Sequence, residues 1–95
     1  MKPALFVPAD HPALPGHFPG NPLVPGVMIL DLLADDWRAT NPETPLRGIH
    51  KAKFQRMLKS GETVRVAWTE VRDDKVSFRA FVGDEILATG QFALA

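Results

Sequence analysis

The order of apolar and polar residues changes character twice after Pro25. Positions 27–37 read Val, Met, Ile, Leu, Asp, Leu, Leu, Ala, Asp, Asp, Trp. Wound as a helix, the first two turns are apolar on every side, and only Asp35, Asp36 and Arg38 restore a polar face. This predicts a buried helix that becomes amphipathic toward its end. Pro25 suits a first helical turn, and Asn41, Pro42 and Pro45 end the element. Beyond it the period falls to two. Residues 47–54 alternate loosely, 63–69 and 76–82 alternate strongly, and 86–94 form a last strand. Turns are predicted at Lys59-Ser60-Gly61, Asp73-Asp74 and Gly83-Asp84. One helix followed by an antiparallel meander makes an α+β domain, its sheet wrapped around the helix.

The segment before Pro25 is different. Seven of the nine prolines lie in the first 25 residues, so nothing after Pro8 there can be a regular helix or a central strand. Leu5-Phe6-Val7 is a short strand candidate, and residues 9–24 read as a rigid irregular loop. The chain has 95 residues, enough for one domain over 1–95, and oligomerisation would help so small a core. Formal net charge is zero, which argues against nucleic acid or an anionic membrane as partner. No apolar run approaches the ~20 residues of a membrane span, and the N-terminus lacks a signal-peptide core. Without cysteine there are no disulfides or thiolate metal sites, and a cytoplasmic location is expected.

Two groups stand out chemically. His17 titrates near neutrality and sits in the proline-fixed loop. Asp31 interrupts the apolar run, where burial would raise its proton affinity and let it act as a general acid. The alternative is an aspartate at the helix edge bonded to a neighbouring loop, as His17 is alternatively a solvated side chain. Gly20 and Gly26 permit close approach of a ligand, and the N–H groups of Gly26 and Val27 at the helix start can polarise a carbonyl oxygen. A base, an acid and oriented amides suit proton abstraction beside a carbonyl followed by loss of a leaving group.

The run His17-Phe18-Pro19-Gly20-x-Pro22-x-x-Pro25-Gly26-Val27, with Asp31 fourteen positions after His17, resembles the signature of the hotdog-fold 3-hydroxyacyl-[acyl-carrier-protein] dehydratases. A second stretch, Gly48-Ile49 through Ala52-Lys53-Phe54-Gln55-Arg56 to Gly61, resembles the strand that follows the helix in that family. The resemblance spans nearly the whole chain. It implies a hotdog fold and dehydration of (3R)-3-hydroxyacyl thioesters on acyl carrier protein in fatty-acid or polyene-type synthesis, with no cofactor. It puts the catalytic histidine at His17, the acid at Asp31 and the carbonyl-polarising amide at Gly26 or Val27. Phe18, Gly20 and Pro25 join these as substrate-binding positions. It also implies a site shared between two subunits, in a homodimer or with a different hotdog subunit.

The chain departs from the family in three places. Asp35 stands where the family has a glutamine that orients the acid, and Met57 and Ser60 replace prolines. The short N-terminus is similar to the compact dehydratases of aryl-polyene-type pathways. Between Arg47 and Lys59 there are five cations and no carboxylate, so Lys51, Lys53 and Arg56 are expected to dock an acidic carrier and its phosphopantetheine-linked acyl group. The alternative is an ordinary solvated strand face. His11 and His50 read as surface residues, with no metal expected. Two further readings stay open: a hotdog acyl-thioesterase, and a half-site subunit that completes another protein's active site.

Overall fold

A computed structural model describes residues 23–95; the candidate strand at residues 5–7 and the loop bearing His17, Phe18 and Gly20 lie outside the described residues. β1 (Leu23–Val24) leads directly into α1 (Gly26–Thr40). Pro25 caps the helix in an extended conformation, and its carbonyl accepts from the N–H groups of Met28 at 3.0 Å and Ile29 at 3.3 Å. At the other end the Asn41 N–H donates to the Trp37 carbonyl at 2.7 Å, and the helix stops before Pro42. Among the described residues no helix is long and apolar enough to cross a membrane.

Five strands follow: β2 (Leu46–Phe54), β3 (Leu58–Lys59), β4 (Arg65–Arg72), β5 (Lys75–Val82) and β6 (Glu85–Leu94). The larger sheet has the order β2-β6-β5-β4, all antiparallel, and β3 pairs with β1 in a separate short ladder. The expected meander therefore holds for β4 to β6 only. β2 adds to the outer side of β6, because the chain leaves β2 through β3 and enters the sheet again at the opposite edge. Asp73 and Asp74, both at positive φ, make the tight turn between β4 and β5, a conformation that aspartate tolerates.

The alternation of β5 sends Val76, Phe78 and Ala80 to the core and Ser77 and Arg79 to the opposite face. Against those inward residues lies one side of α1, made of Ile29, Leu33, Ala34 and Trp37. Trp68 sits at the centre, with ring centroids 5.0 Å from Trp37, 5.9 Å from Phe92 and 6.1 Å from Phe78.

The helix is not buried all round, as its apolar first turns suggest, because one four-stranded sheet covers one side of a helix. Val27 is 67% exposed and Asp31 faces solvent, whereas Asp36, expected on the polar face, is buried and accepts the Trp68 indole N–H at 2.8 Å. The step of five residues from Asp31 to Asp36 turns the helix by about 500°, so they point to different sides.

Strand β2 crosses β6 through an irregular register, and Gly90 lies under that crossing. A Cβ there would run into the Lys51 carbonyl and come within 2.9 Å of the Ala52 Cα, both backbone atoms of β2. At Gly48 a Cβ would meet nothing within 4 Å. Gly90→Ala is therefore expected to lower stability by about 1–3 kcal/mol, with Gly48→Ala close to neutral, in paired thermal melts.

Candidate active site

The helix start is built to present amides. With Pro25 as cap, the first intrahelical bonds belong to Met28 and Ile29, leaving the N–H groups of Gly26 and Val27 directed out of the helix end. No acidic side chain occupies the first turn, so the positive end of the helix dipole is not offset from within α1. Gly26 has a packing reason as well: a Cβ on it would stand 3.0 Å from the Phe54 ring. Phe54 lies at the end of β2 and is 43% exposed, an aromatic surface set against the amides. Sequence reasoning placed Phe54 in the strand but not at the site. The contact that joins it to Gly26 is made across 28 positions, and no local spacing encodes it.

Asp31 opens onto a groove of about 250 Å³ between α1 and the start of β2, where Val27, Leu30, Ala34, Arg38 and Arg47 are among its neighbours. Its carboxylate is exposed, so the desolvation expected of it is not provided by the described residues. Asp35, one turn further along α1, is held by Arg38, whose Nη1 donates to its Oδ1 at 2.7 Å. Pro25, Gly26, Val27 and Asp31 are thus gathered along one end and one side of a single helix.

The basic strand divides in two. Lys51 and Lys53 lie on the sheet face away from the helix, beside Arg79, in a groove of about 570 Å³ that Ser77, Thr89 and Gln91 also line. The register makes this group: Lys53 is opposite Thr89, and Thr89 is opposite Arg79. Arg79 was invisible as a partner of the lysines because the pairing of β2 with β6 cannot be read from alternation. Arg56 does not join them. Its guanidinium is 3.0 Å from Glu62 and 3.9 Å from Glu85, tying the end of β2 to the turn after β3. Glu62 also accepts the Lys59 backbone N–H at 2.8 Å.

An antiparallel sheet against one helix is the architecture of the hotdog-fold dehydratases. Residues 1–91 match the family model described as ApeI-like, ApeI dehydratase, and the chain belongs to that family. Among curated relatives, the 3-hydroxyacyl-[acyl-carrier-protein] dehydratase FabZ of Desulforamulus reducens is 32% identical over 94% of this chain and 71% of its own length. FabZ of Chloroflexus aggregans is 32% identical over 95% of this chain and 71% of its own. Among solved structures, the dehydratase heterocomplex ApeI:P from Xenorhabdus doucetiae superposes with a TM-score of 0.71 at 27% identity, covering 97% of this chain and 83% of that one. An uncharacterized protein from Erwinia carotovora subsp. atroseptica gives 0.73 at 26% identity, covering 97% and 79%.

The Arg56–Glu62 clasp has a pH signature. The Lys59 N–H and then Arg56 hold the Glu62 carboxyl below its ordinary range, with partial burial opposing them. A carboxylate with a lowered folded pKa contributes stability above its unfolded pKa and loses it as pH falls through the folded one. Glu62→Gln should therefore cost about 0.5–1.5 kcal/mol at neutral pH in urea unfolding, and the difference from the parent should vanish in acid.

Proposed function

We propose that this chain converts (3R)-3-hydroxyacyl thioesters on acyl carrier protein into trans-2-enoyl thioesters and water, with His17 as base and Asp31 as acid. The observation that carries the reading is the helix start itself: amides at Gly26 and Val27 that no described residue accepts from, with Asp31 on the groove side of the same helix. The thioester carbonyl oxygen accepts from those amides, which stabilises negative charge as the C2–H bond weakens. His17 takes the C2 proton, the C2–C3 double bond forms, and the 3-hydroxyl departs as water with the proton of Asp31. The two groups must then exchange a proton before the next turnover. Phe18, Gly20 and Pro25 bind the substrate, as the family signature implies, and no cofactor takes part.

In this reading the acyl group arrives on phosphopantetheine in the cytoplasm, and Lys51 and Lys53 meet the acidic carrier. Arg79 stands with them, whereas Arg56 serves the Glu62 clasp. Asp31 is covered by a second hotdog subunit, whose histidine loop (that of His17 where the subunit is a copy of this chain) completes the site. That subunit is a second copy of this chain or a different one. The dehydratase heterocomplex among the structural neighbours favours keeping the second arrangement in view, in which this chain supplies half a site.

The decisive assay follows crotonyl and longer 2-enoyl thioesters by loss of enoyl absorbance, with free thiol measured in parallel. Enoyl loss without thiol release is expected, and His17→Ala and Asp31→Asn should each reduce it about 10²–10⁴-fold. Thiol release at comparable rate would instead mean thioester hydrolysis. Inactivity of the pure chain, relieved by adding a second hotdog subunit, would select the half-site arrangement.

A further inference from the structure

Two short tethers lead from the Arg56–Glu62 ion pair to the start of α1. The first runs through β3. The chain turns back after it, with Gly61 at a φ of +84° and the Glu62 N–H donating to the Lys59 carbonyl at 3.2 Å. The Glu62 carboxylate closes the same turn from its side chain by accepting the Lys59 N–H at 2.8 Å. Lys59 is paired with Leu23 and Leu58 with Val24, so the turn holds the two residues that lead into Pro25 and the helix. Leu58 and Val24 are both buried, which makes that short ladder part of the core. The second tether is the end of β2. Arg56 comes two residues after Phe54, whose ring stands against Gly26, and the intervening Gln55 N–H donates to the Leu87 carbonyl at 2.8 Å. The ion pair itself is sheltered: its side chains are 23% and 26% exposed and 3.0 Å apart.

We propose that Arg56 and Glu62 are positioning residues for the dehydration, aiming the N–H groups of Gly26 and Val27 at the place of the thioester carbonyl oxygen. This rests on the reading of those amides as the groups that polarise the carbonyl. A donor stabilises a developing oxyanion only when it is aimed in advance at the point where the charge will form. β1 and β3 have two residues each, too short a ladder to define that aim alone. The Glu62 carboxylate supplies the missing constraint, since it joins the backbone of β3 to the guanidinium just beyond β2. The partner of β3 and the last residue of β2 both adjoin the helix start. Arg56, expected from the sequence to meet the carrier, thus acts on the reacting carbonyl through the amides.

Kinetics separate this role from carrier docking and from plain stability. Turnover is followed on a carrier-borne 2-enoyl substrate and on the same acyl group as a carrier-free pantetheine thioester, per mole of folded protein, in the dimer that carries the activity. Glu62→Ala and Arg56→Ala should each lower kcat about 10-fold on both substrates and leave KM within about twofold. Glu62→Gln, which can still accept the Lys59 N–H, should recover most of what Glu62→Ala loses. Val76→Ala, a core truncation on β5 outside both tethers, is the destabilised comparison, and its folded fraction should turn over at the parental rate. The carbonyl stretch of a bound 2-enoyl thioester, lowered by the amides in the parent, should return toward its free value in Glu62→Ala. Parental kcat in folded Glu62→Ala would overturn the proposal, and so would a loss confined to KM for the carrier-borne substrate, which would make Arg56 a docking residue. A carbonyl stretch unchanged when the parent binds the thioester would refute the amide reading instead. Amide NMR signals of Gly26 and Val27 in Glu62→Ala would then still decide the tether, displaced if the ion pair sets their position and unmoved if it does not.

Discussion

The hydrogen bond from the Trp68 indole to the buried Asp36 carboxylate, 2.8 Å long, decides how α1 is rotated, and the site depends on that rotation. An unpaired donor or acceptor at that position would cost about 1–3 kcal/mol, so the helix is strongly disfavoured from turning away. Trp37, beside Asp36, packs edge-on against Trp68 and donates its own indole N–H to the Thr44 carbonyl at 2.7 Å. These contacts fix the C-terminal half of the helix. With that half held, Asp31 has to face the groove and Gly26 has to meet Phe54.

The same anchoring leaves surface that asks for cover. α1 has one side against the sheet and the other, with Val27 and Asp31, open. Among the described residues β2 is an edge strand of the larger sheet, and it carries Ile49 and Phe54 exposed. A chain of 95 residues buries a limited fraction of its apolar area alone, and the exposed Val27 next to a strand edge that no described residue pairs fits completion by a second subunit. Stability and chemistry would then have the same requirement, because a cover over Val27 would also remove water from Asp31.

Much of this was legible in the residues. Pro25 and the Asn41-Pro42 pair bracket the helix, and Asp73-Asp74 and Gly83-Asp84 mark turns that the structure places there. The alternation of β5 shows which residues face the core. Helix phase was read wrongly at Asp31 and Asp36, because Met28, Leu30 and Leu32 put apolar groups on every side and hid the true stripe. That stripe, Ile29, Leu33, Asp36 and Trp37, follows helical spacing with the aspartate inside it. Strand order and register arise across space, so neither the place of β2 beside β6 nor the grouping of Arg79 with Lys51 and Lys53 was readable from spacing. The signature residues from Pro25 to Asp31 are found together on α1, while His17, Phe18 and Gly20 lie outside the described residues.

The central claim is that the acid on α1 and the histidine loop of a second subunit make one site. Subunit complementation tests it most directly, with His17→Ala and Asp31→Asn chains purified separately, unfolded, mixed in equal amounts and refolded. If each site draws its histidine from one subunit and its aspartate from the other, random pairing restores about a quarter of the parental dehydratase activity. A mixture as inactive as its two components, with the parent recovering activity through the same refolding, would contradict the account.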